Sequence, residues 1–537
     1  MNNFIPCWSL IPALIDILQP IKTTLGPQGN TNFIQGFSTI LTKDGANILK
    51  HIHSDDTYLM ALLNFIKDNI NIVAQNTGDG TTTTIIFIIE LLKIIDPLLL
   101  HYSGQEISGA LQELLLYSKN FVEKITKSLS IKDENSLMNL AMIATNGHQE
   151  ISQVLVEAIM KVGPDAIINV EKIHTHAMAI GLEYQRGFAL DMGFSNKYFL
   201  LKNNAIAYEK KYTNGYILIA NQRLAILTEQ LQWVLNEAIS QQKPLVIIAK
   251  EVEGDFLNHL IAAYNRNILD VITVKATYNS DDFLQDLCAL TTCQMWDNKF
   301  VYPLEQYLGQ FNSCEITQEK TIIFKEKNMD NYIDHLQKKM EILNKHNNHY
   351  TYEKSLLNQR ITKLTGAVAK IQIGGSNEAE KEEIKDRVID GIHCLKNAIR
   401  KGIVPGGGIL FFLIHKFFQE KISKDGLSPR SNPLSPLISK SLLAILATIV
   451  NNGIDRDGPV IINKIYEFYQ GKTLEEVVDM FHNKSSMMMG FNGYNNQLVD
   501  IMEDGIINAA LTEMTSWETA ISMVSHIIKS KYIINTN

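Results

Sequence analysis

A multidomain α+β protein is what this sequence predicts, on three observations. Its 537 residues are too many for one hydrophobic core, so roughly two to four domains are expected. Both ends carry apolar residues at helical spacing between glycine-bearing turns. The middle instead sets β-branched runs ahead of helical segments, the α/β pattern.

The N-terminal part reads helical, with turns at "TLGPQGN" and "LTKDGAN". The stretch "NTGDGTTTTIIFIIELLK" follows, with Ile85, Ile86, Ile89 and Leu92 on a helical period. Four threonines at a helix start have two readings. Asp79 or one threonine caps the first turn. Alternatively, the glycine-flanked N-terminus cradles an anion with its free N–H groups and positive dipole end. A bare phosphate would leave Asp79 misplaced, but Asp79 suits a bound Mg²⁺.

A further helix is expected at 111–127, then a strand in "DAIINVEKI". The runs "NGYILIAN", "KPLVIIAKEV" and "ILDVITVKA" read as strands. Between them, Leu231, Val234, Leu235 and Ala238 share one helix face, as do Phe256, Leu257, Leu260 and Ile261. Residues 325–364 read as an exposed helical hairpin. The last third is helical again, broken at "VPGGGIL" and "MMMGFNGYNN". The methionine run at 487–489 reads as core filling.

Bulk properties exclude several classes. A net charge of −8 argues against nucleic acid as the main partner. The apolar run at 83–100 contains Glu90, Lys93 and Asp96, so no membrane span is expected. The N-terminus lacks a basic n-region and Asp16 interrupts its apolar run, against a signal peptide. Five cysteines without CxxC spacing fit free thiols in a reducing cytoplasm. The pairs His51/His53, His174/His176 and His346/His349 lack a zinc frame and read as surface or loop residues.

Four glycine turns call for one explanation: "TLGPQG", "TKDG", "GDGTTT" and "GGG" at 406–408. None fits a P-loop or a strand-linked GxGxxG. In order and spacing they resemble a group I chaperonin, the GroEL family of bacteria and organelles. The block "ITKLTGAVAKIQIGGSNEAEKEEIKDRVIDGIHCLKNAIRKGIVPGGGIL" is similar nearly residue for residue, and "KPLVIIAKEVEGDFLNHLI" resembles the family's substrate-binding domain. The likeness spans nearly the whole chain.

The resemblance implies a chaperonin fold with a nested chain. A mainly helical equatorial domain would come from 1–127 and 401–537. A small intermediate domain would come from 128–178 and 369–400, and an inserted α/β apical domain from 179–368. It implies ATP and Mg²⁺ as cofactors, with K⁺ as a further candidate ion. Thr24, Leu25, Gly26 and Pro27 match the loop against the nucleotide, followed by Lys43 and Asp44. Asp79 matches the Mg²⁺ ligand, and Gly80, Thr81, Thr82 and Thr83 the phosphate cradle. Gly407 matches the glycine that lets the backbone approach the nucleotide, and Asn492 and Asn508 fall on base and sugar positions. Asp390 matches the catalytic carboxylate; with Asp44 it would orient the attacking water. From the residues alone Asp390 reads as an exposed helix residue.

For client capture, Tyr198, Phe199, Leu235, Leu257 and Ile261 fall on positions lining the family's cavity mouth. Periodicity does not separate that role from core packing. The implied partners are non-native polypeptides, further copies of the chain in seven-membered rings stacked in pairs, and a small GroES-type lid. The implied location is the cytoplasm.

Departures point to a divergent paralogue. Asn508 stands where the family has an aspartate toward the sugar, and Gln28 replaces a basic residue. The "GFNG" at 490–493 resembles the base-contact loop only loosely. An insertion in "RGFALDMGFSNKYF" leaves Phe188 and Phe194 as alternatives for one cavity position. Gln232 and Ala262 are less apolar than the family pattern, and the N-terminal strand is rewritten. These changes keep a second expectation open, a chaperonin-like binding or holdase protein with altered assembly or lid cooperation.

Overall fold

The computed structural model describes residues 4–34, 40–145, 147–164, 168–173, 180–190, 192–202, 205–206, 209–276, 281–297, 303–318, 320–324, 329–345, 353, 356–357, 360–361, 364, 367–425, 432–454, 458–483 and 485–534. The chain forms two compact units. One comprises Met1–Pro164, Lys172–Ile180 and Ile373–Asn537; the other comprises Asp165–Glu171 and Gly181–Gln372.

The first unit is mainly helical. At its centre runs the helix Thr81–Ile95, in which Ile85 to Ile89, Leu91, Leu92 and Ile95 are all fully buried. A helix apolar all round belongs inside a core. That burial offsets the weak helix propensity of its threonine and isoleucine content. Phe87 projects from it between Phe411 and Trp517, each ring centroid 4.8 Å away in an edge-on arrangement. Three helices therefore meet there: Thr81–Ile95, Ile409–Asp425 and Ala510–Lys529. The long helices Thr57–Thr77 and Gly104–Ile125 complete the packing around Ala510–Lys529. Asp56 caps the first of these, and Ser103 with Glu106 forms a capping box on the second. The helix expected at 111–127 thus starts earlier, at Gly104.

Short antiparallel pairs tie distant parts of this unit together. Ile403–Pro405 pairs with Ile507–Ala509, and Met489–Asn492 with Gln497–Asp500. The rewritten N-terminal strand Phe4–Pro6 pairs with Tyr532–Ile534 of the same chain.

The second unit is built on an eight-stranded sheet. Its order is Val271–Lys275, Leu245–Val252, Glu209–Leu224, Leu308–Thr317, Thr321–Phe324, Ile180–Leu190, Ala367–Ile373, Ile168–Lys172. The first three strands are parallel, and their connections pass through the helices Glu229–Ser240 and Gly254–Asn265. All three expected strand runs, and both helices, form. Covered on both faces, the central strands are continuous apolar runs such as Leu245 to Ala249. From the expected hairpin at 325–364, Asp330–Lys345 is a helix. Arg360, from the same stretch, bonds through its guanidinium to Asp286 at 2.7 and 2.9 Å and to Asp282 at 2.8 Å. Several other residues of that hairpin, and His174, His176, His346 and His349, lie outside the described residues.

The five cysteines are free thiols. No described helix is long and apolar enough to cross a membrane.

Candidate functional site

In the first unit two of the glycine turns, "TKDG" and "GDGTTT", meet at the N-terminus of Thr81–Ile95. The preceding helix ends at Gly78 and the next begins after Gly80, both in the left-handed region with φ of 70° and 89°. A side chain at Gly80 would be strained there, and its Cβ would run into Ser516 Oγ. Ser516 Oγ in turn donates to the Gly80 carbonyl at 3.1 Å. Asp79 Oδ1 accepts from Gly80 N–H at 2.6 Å. With glycine as its N-cap, the helix start has no side-chain cap. The capping alternative is therefore set aside: the first-turn N–H groups are left for another acceptor.

Asp44 reaches the same place from a second turn. It caps the helix Gly45–His51, accepting from Ala46 N–H at 3.0 Å and Asn47 N–H at 3.1 Å. The backbone beside it packs on Thr82: a Cβ on Gly45 would collide with Thr82 Oγ1. Asp390 arrives on the helix Glu378–Lys401, whose Asp390 Cα lies 3.2 Å from where a Gly78 Cβ would stand. Asp390 is half-buried, one helix turn beyond Asp386.

A second group adjoins the first. Lys43 Nζ donates to Pro27 O at 3.0 Å, and Asn452 Nδ2 to Leu25 O at 2.9 Å. Thr24 is buried, its hydroxyl donating to Ile21 O at 2.9 Å. Gly26 rests on Ile449, and a Cβ on Gly493 would lie 3.0 Å from Pro27 Cδ. The Thr24–Pro27 turn thus lies against the tip of the Met489–Asn492 hairpin, where Asn492 Nδ2 donates to Asp504 at 2.7 Å. Gly407, with φ of 61°, backs onto the same hairpin; its Cβ would be 3.6 Å from Phe491 O. Asn508 abuts the neighbouring Gly406 and donates its amide to Glu513.

The electrostatics mark this place out. Burial first, then Asp79, Asp44 and Asp386, push the Asp390 carboxyl up to about 9. Asp79 is raised by its crowded surroundings, although Gly80 N–H pulls the other way and Asp44 adds repulsion. Its surface is open to solvent while protein atoms surround it, as for a carboxylate lining a cleft. Burial raises Glu513 to about 7, with Asp79 adding to it. Asp386 is raised by partial burial, Glu382 and Asp44. Lys43 is lowered, by burial and then by Arg387. Mutually raised carboxylates in one cleft are characteristic of functional sites.

These residues fit a nucleotide with Mg²⁺. An uncapped, glycine-flanked helix N-terminus suits phosphate. Among the described residues no three His, Cys, Asp or Glu side chains gather closely enough to hold a metal by themselves. Mg²⁺ does not demand such a cage, since it is commonly held by one or two carboxylates together with phosphate oxygens. Asp79 beside the helix start has the required chemistry.

The residues expected to capture clients separate in the second unit. Tyr198 is 57% exposed, and Leu257 and Ile261 are half-buried against the core. Phe199 and Leu235 correct the expectation, because both are buried and present no apolar surface. Phe199 packs edge-on against Tyr264 at 5.7 Å, and Leu235 lies on the inward face of its helix. Phe188 is likewise core, whereas Phe194 is only partly buried. Ile226 and Ile268 are exposed apolar residues that the sequence pattern did not single out.

Sequence reasoning also passed over Asp386, Glu513 and Ser516. Asp386 had a signal, its i,i+4 spacing to Asp390 on one helix. Ser516 had none, because its partner Gly80 is met only through packing; Glu513 follows its partner Asn508 by five residues across a strand-to-helix junction, a spacing that no helical or strand period marks.

Comparison with known proteins bears on the whole chain. A profile of the TCP-1/cpn60 chaperonin family matches residues 17–537. The Chaperonin GroEL of Orientia tsutsugamushi strain Boryong is 27% identical over 548 residues, covering 98% of this chain and 92% of that protein. Its counterpart from strain Ikeda gives the same values. Among solved structures, the chaperonin gp146 from bacteriophage EL 2 (Pseudomonas aeruginosa), in the presence of ATP-BeFx, superposes with a TM-score of 0.74 at 17% identity, covering 99% of both chains. A second crystal form gives 0.68 at 18% identity. At that identity the likeness concerns the fold.

Proposed function

The chain belongs to the TCP-1/cpn60 chaperonin family, as a divergent group I member with the multidomain α+β chaperonin fold, and we propose that it is an ATP-driven chaperonin. Family and fold carry a chaperonin-type folding function. The finer reading has ATP hydrolysed in the first unit and non-native protein held by the second. Assembly would be into seven-membered rings, stacked in pairs and closed by a small GroES-type lid, in the cytoplasm. The observation that carries the ATPase reading is the meeting of the uncapped Gly80–Thr83 helix start with Asp79, Asp44 and Asp390.

In this reading the N–H groups and hydroxyls of Thr81, Thr82 and Thr83 bind phosphate oxygens, and Gly407 lets the backbone close on the nucleotide. Mg²⁺ held by Asp79 would neutralise charge developing on the phosphates, with K⁺ a further candidate ion. Asp44, oriented by its two N–H bonds, and Asp390 position the attacking water. Asp390 can accept a proton from that water only once it has lost its own. Its raised position makes this depend on the charge carried by Asp79. Tyr198, Leu257 and Ile261 would contribute apolar surface to client capture, because non-native chains expose apolar groups that native ones hide.

One observation favours a second reading, a holdase with altered assembly: the outward positions Gln232, Asn236 and Asn258 on the two sheet-flanking helices are polar. Mass in solution with and without Mg·ATP separates the two. One or two seven-membered rings with ATPase above an Asp390→Ala control support the first. A monomer or small oligomer in both conditions overturns it.

A further inference from the structure

The side chain least explained by the site as described is Glu513. It sits in the first turn of the helix Ala510–Lys529 and is only 8% exposed. A buried carboxylate is costly unless it is hydrogen-bonded. Glu513 Oε1 accepts from the Asn508 side-chain amide. Asn508 lies on the strand opposite Val404, with its Oδ1 3.0 Å from where a Gly406 Cβ would stand.

The same helix braces the other end of the site. Ser516 Oγ donates to Gly80 O at 3.1 Å, and Thr512 Cγ2 would lie 3.1 Å from a Cβ on Gly80. A connected path therefore runs from the phosphate turn at Gly80, through Ser516 and Thr512, to Glu513 and Asn508. It continues to Gly406 and Gly407, against Phe491 of the hairpin. Position 508, between that turn and that hairpin, is where the likeness to the group I chaperonins puts the nucleotide's sugar.

The bond to Glu513 also settles the orientation of Asn508. An asparagine amide has a donor end and an acceptor end, and its hydrogen bonds decide which way it points. With its NH₂ spent on Glu513, Asn508 has its carbonyl oxygen to offer. An aspartate at 508 would instead set two carboxylates within hydrogen-bond reach, which cannot both be ionised cheaply. Asn508 and Glu513 are thus a matched pair.

We propose that Glu513 is a positioning residue for the nucleotide: it holds the Asn508 amide so that the Asn508 carbonyl accepts a hydrogen bond from a ribose hydroxyl. This rests on the nucleotide reading above. The test uses the full-length protein with Mg²⁺ and compares ATP with its 2′-deoxy and 3′-deoxy analogues by calorimetry and steady-state kinetics. Wild type favours ATP over at least one deoxy analogue by about five- to tenfold, the worth of one hydrogen bond. Glu513→Gln keeps the preference, because its amide oxygen still accepts from Asn508. Glu513→Ala loses the preference, with KM raised more than kcat is lowered. A purely structural role would lower the melting temperature of Glu513→Ala and leave the ratio between ATP and the deoxy analogues intact; that result overturns the proposal.

Should Glu513→Ala fail to fold, a second pair carries the test. Asn508→Asp alone weakens ATP binding, and adding Glu513→Gln restores it. Equal binding by Asn508→Asp with and without Glu513→Gln overturns the proposal. Wild type that binds ATP without discriminating against either deoxy analogue refutes this inference alone. Wild type that binds no nucleotide refutes the reading beneath it.

Discussion

Replacing Asp390 by asparagine should make the ligand-free protein more stable at alkaline pH while removing its ATPase. The carboxyl is half-buried and faces Asp79, Asp44 and Asp386, which with burial hold it near 9. In the unfolded chain an aspartate titrates near ~3.9. A group raised on folding stabilises fully below the unfolded value, and that stabilisation is lost as pH rises toward the folded value. Between the two, unfolding releases up to one proton, a slope of ~1.4 kcal/mol per pH unit. From pH 5 to 8 the ceiling is ~4 kcal/mol, and solvent access at this partly open site reduces it to about 2 kcal/mol. Asparagine keeps the shape and removes the slope. The variant should therefore melt a few degrees above wild type at pH 8, with a smaller gap at pH 5. Thermal midpoints from pH 5 to 8.5, without nucleotide or divalent cation, measure this. Asp79 and Glu513 titrate in both proteins, so the difference reports Asp390 together with its coupling to Asp79. ATP turnover should fall about 10²-fold or more. Parallel pH profiles, or a variant less stable at pH 8, would refute the placement of Asp390 among these carboxylates.

The remaining expectations are more local. Gly80→Ala should cost about 2 kcal/mol or more, from a left-handed backbone and the collision with Ser516, and should abolish nucleotide binding; calorimetry and thermal melting check both. Tyr198→Ala should weaken capture of a denatured test protein and leave the melting temperature unchanged. Phe199→Ala should instead cost about 3–5 kcal/mol, because its ring is fully buried, and equal effects of the two on melting would contradict that division. His415 is held down to about 4, first by burial, so its folded form prefers the neutral ring. Stability from this residue is complete above pH ~6.5 and is lost as pH falls toward 4, at up to ~1.4 kcal/mol per unit. His415→Gln should flatten that limb of the pH–stability curve, and an unchanged limb would exclude the assignment.

Local pattern determined much about this protein. Alternation of β-branched runs with helical stretches foretold the strands Glu209–Leu224, Leu245–Val252 and Val271–Lys275 and the helices between them, because side-chain period follows directly from backbone geometry. Glycine turns marked Gly80 and Gly407 for the same reason, since a left-handed residue leaves its signature in the chain. Which way a side chain faces was a different matter. Phe199 and Tyr198 are neighbours in sequence, yet one is core and the other surface. Leu235 shares its helix face with Leu231 and Val234, and periodicity could not tell an inward face from a client-binding one. Only the packing of helix against sheet decided that. Tertiary structure likewise decided the electrostatics of the site. Asp390 alone reads as a helix surface residue; its carboxyl is shifted because folding first buries it and then sets Asp79 and Asp44, more than three hundred positions away, against it. Charge acts through space, and the chain order carries no record of distances that folding creates.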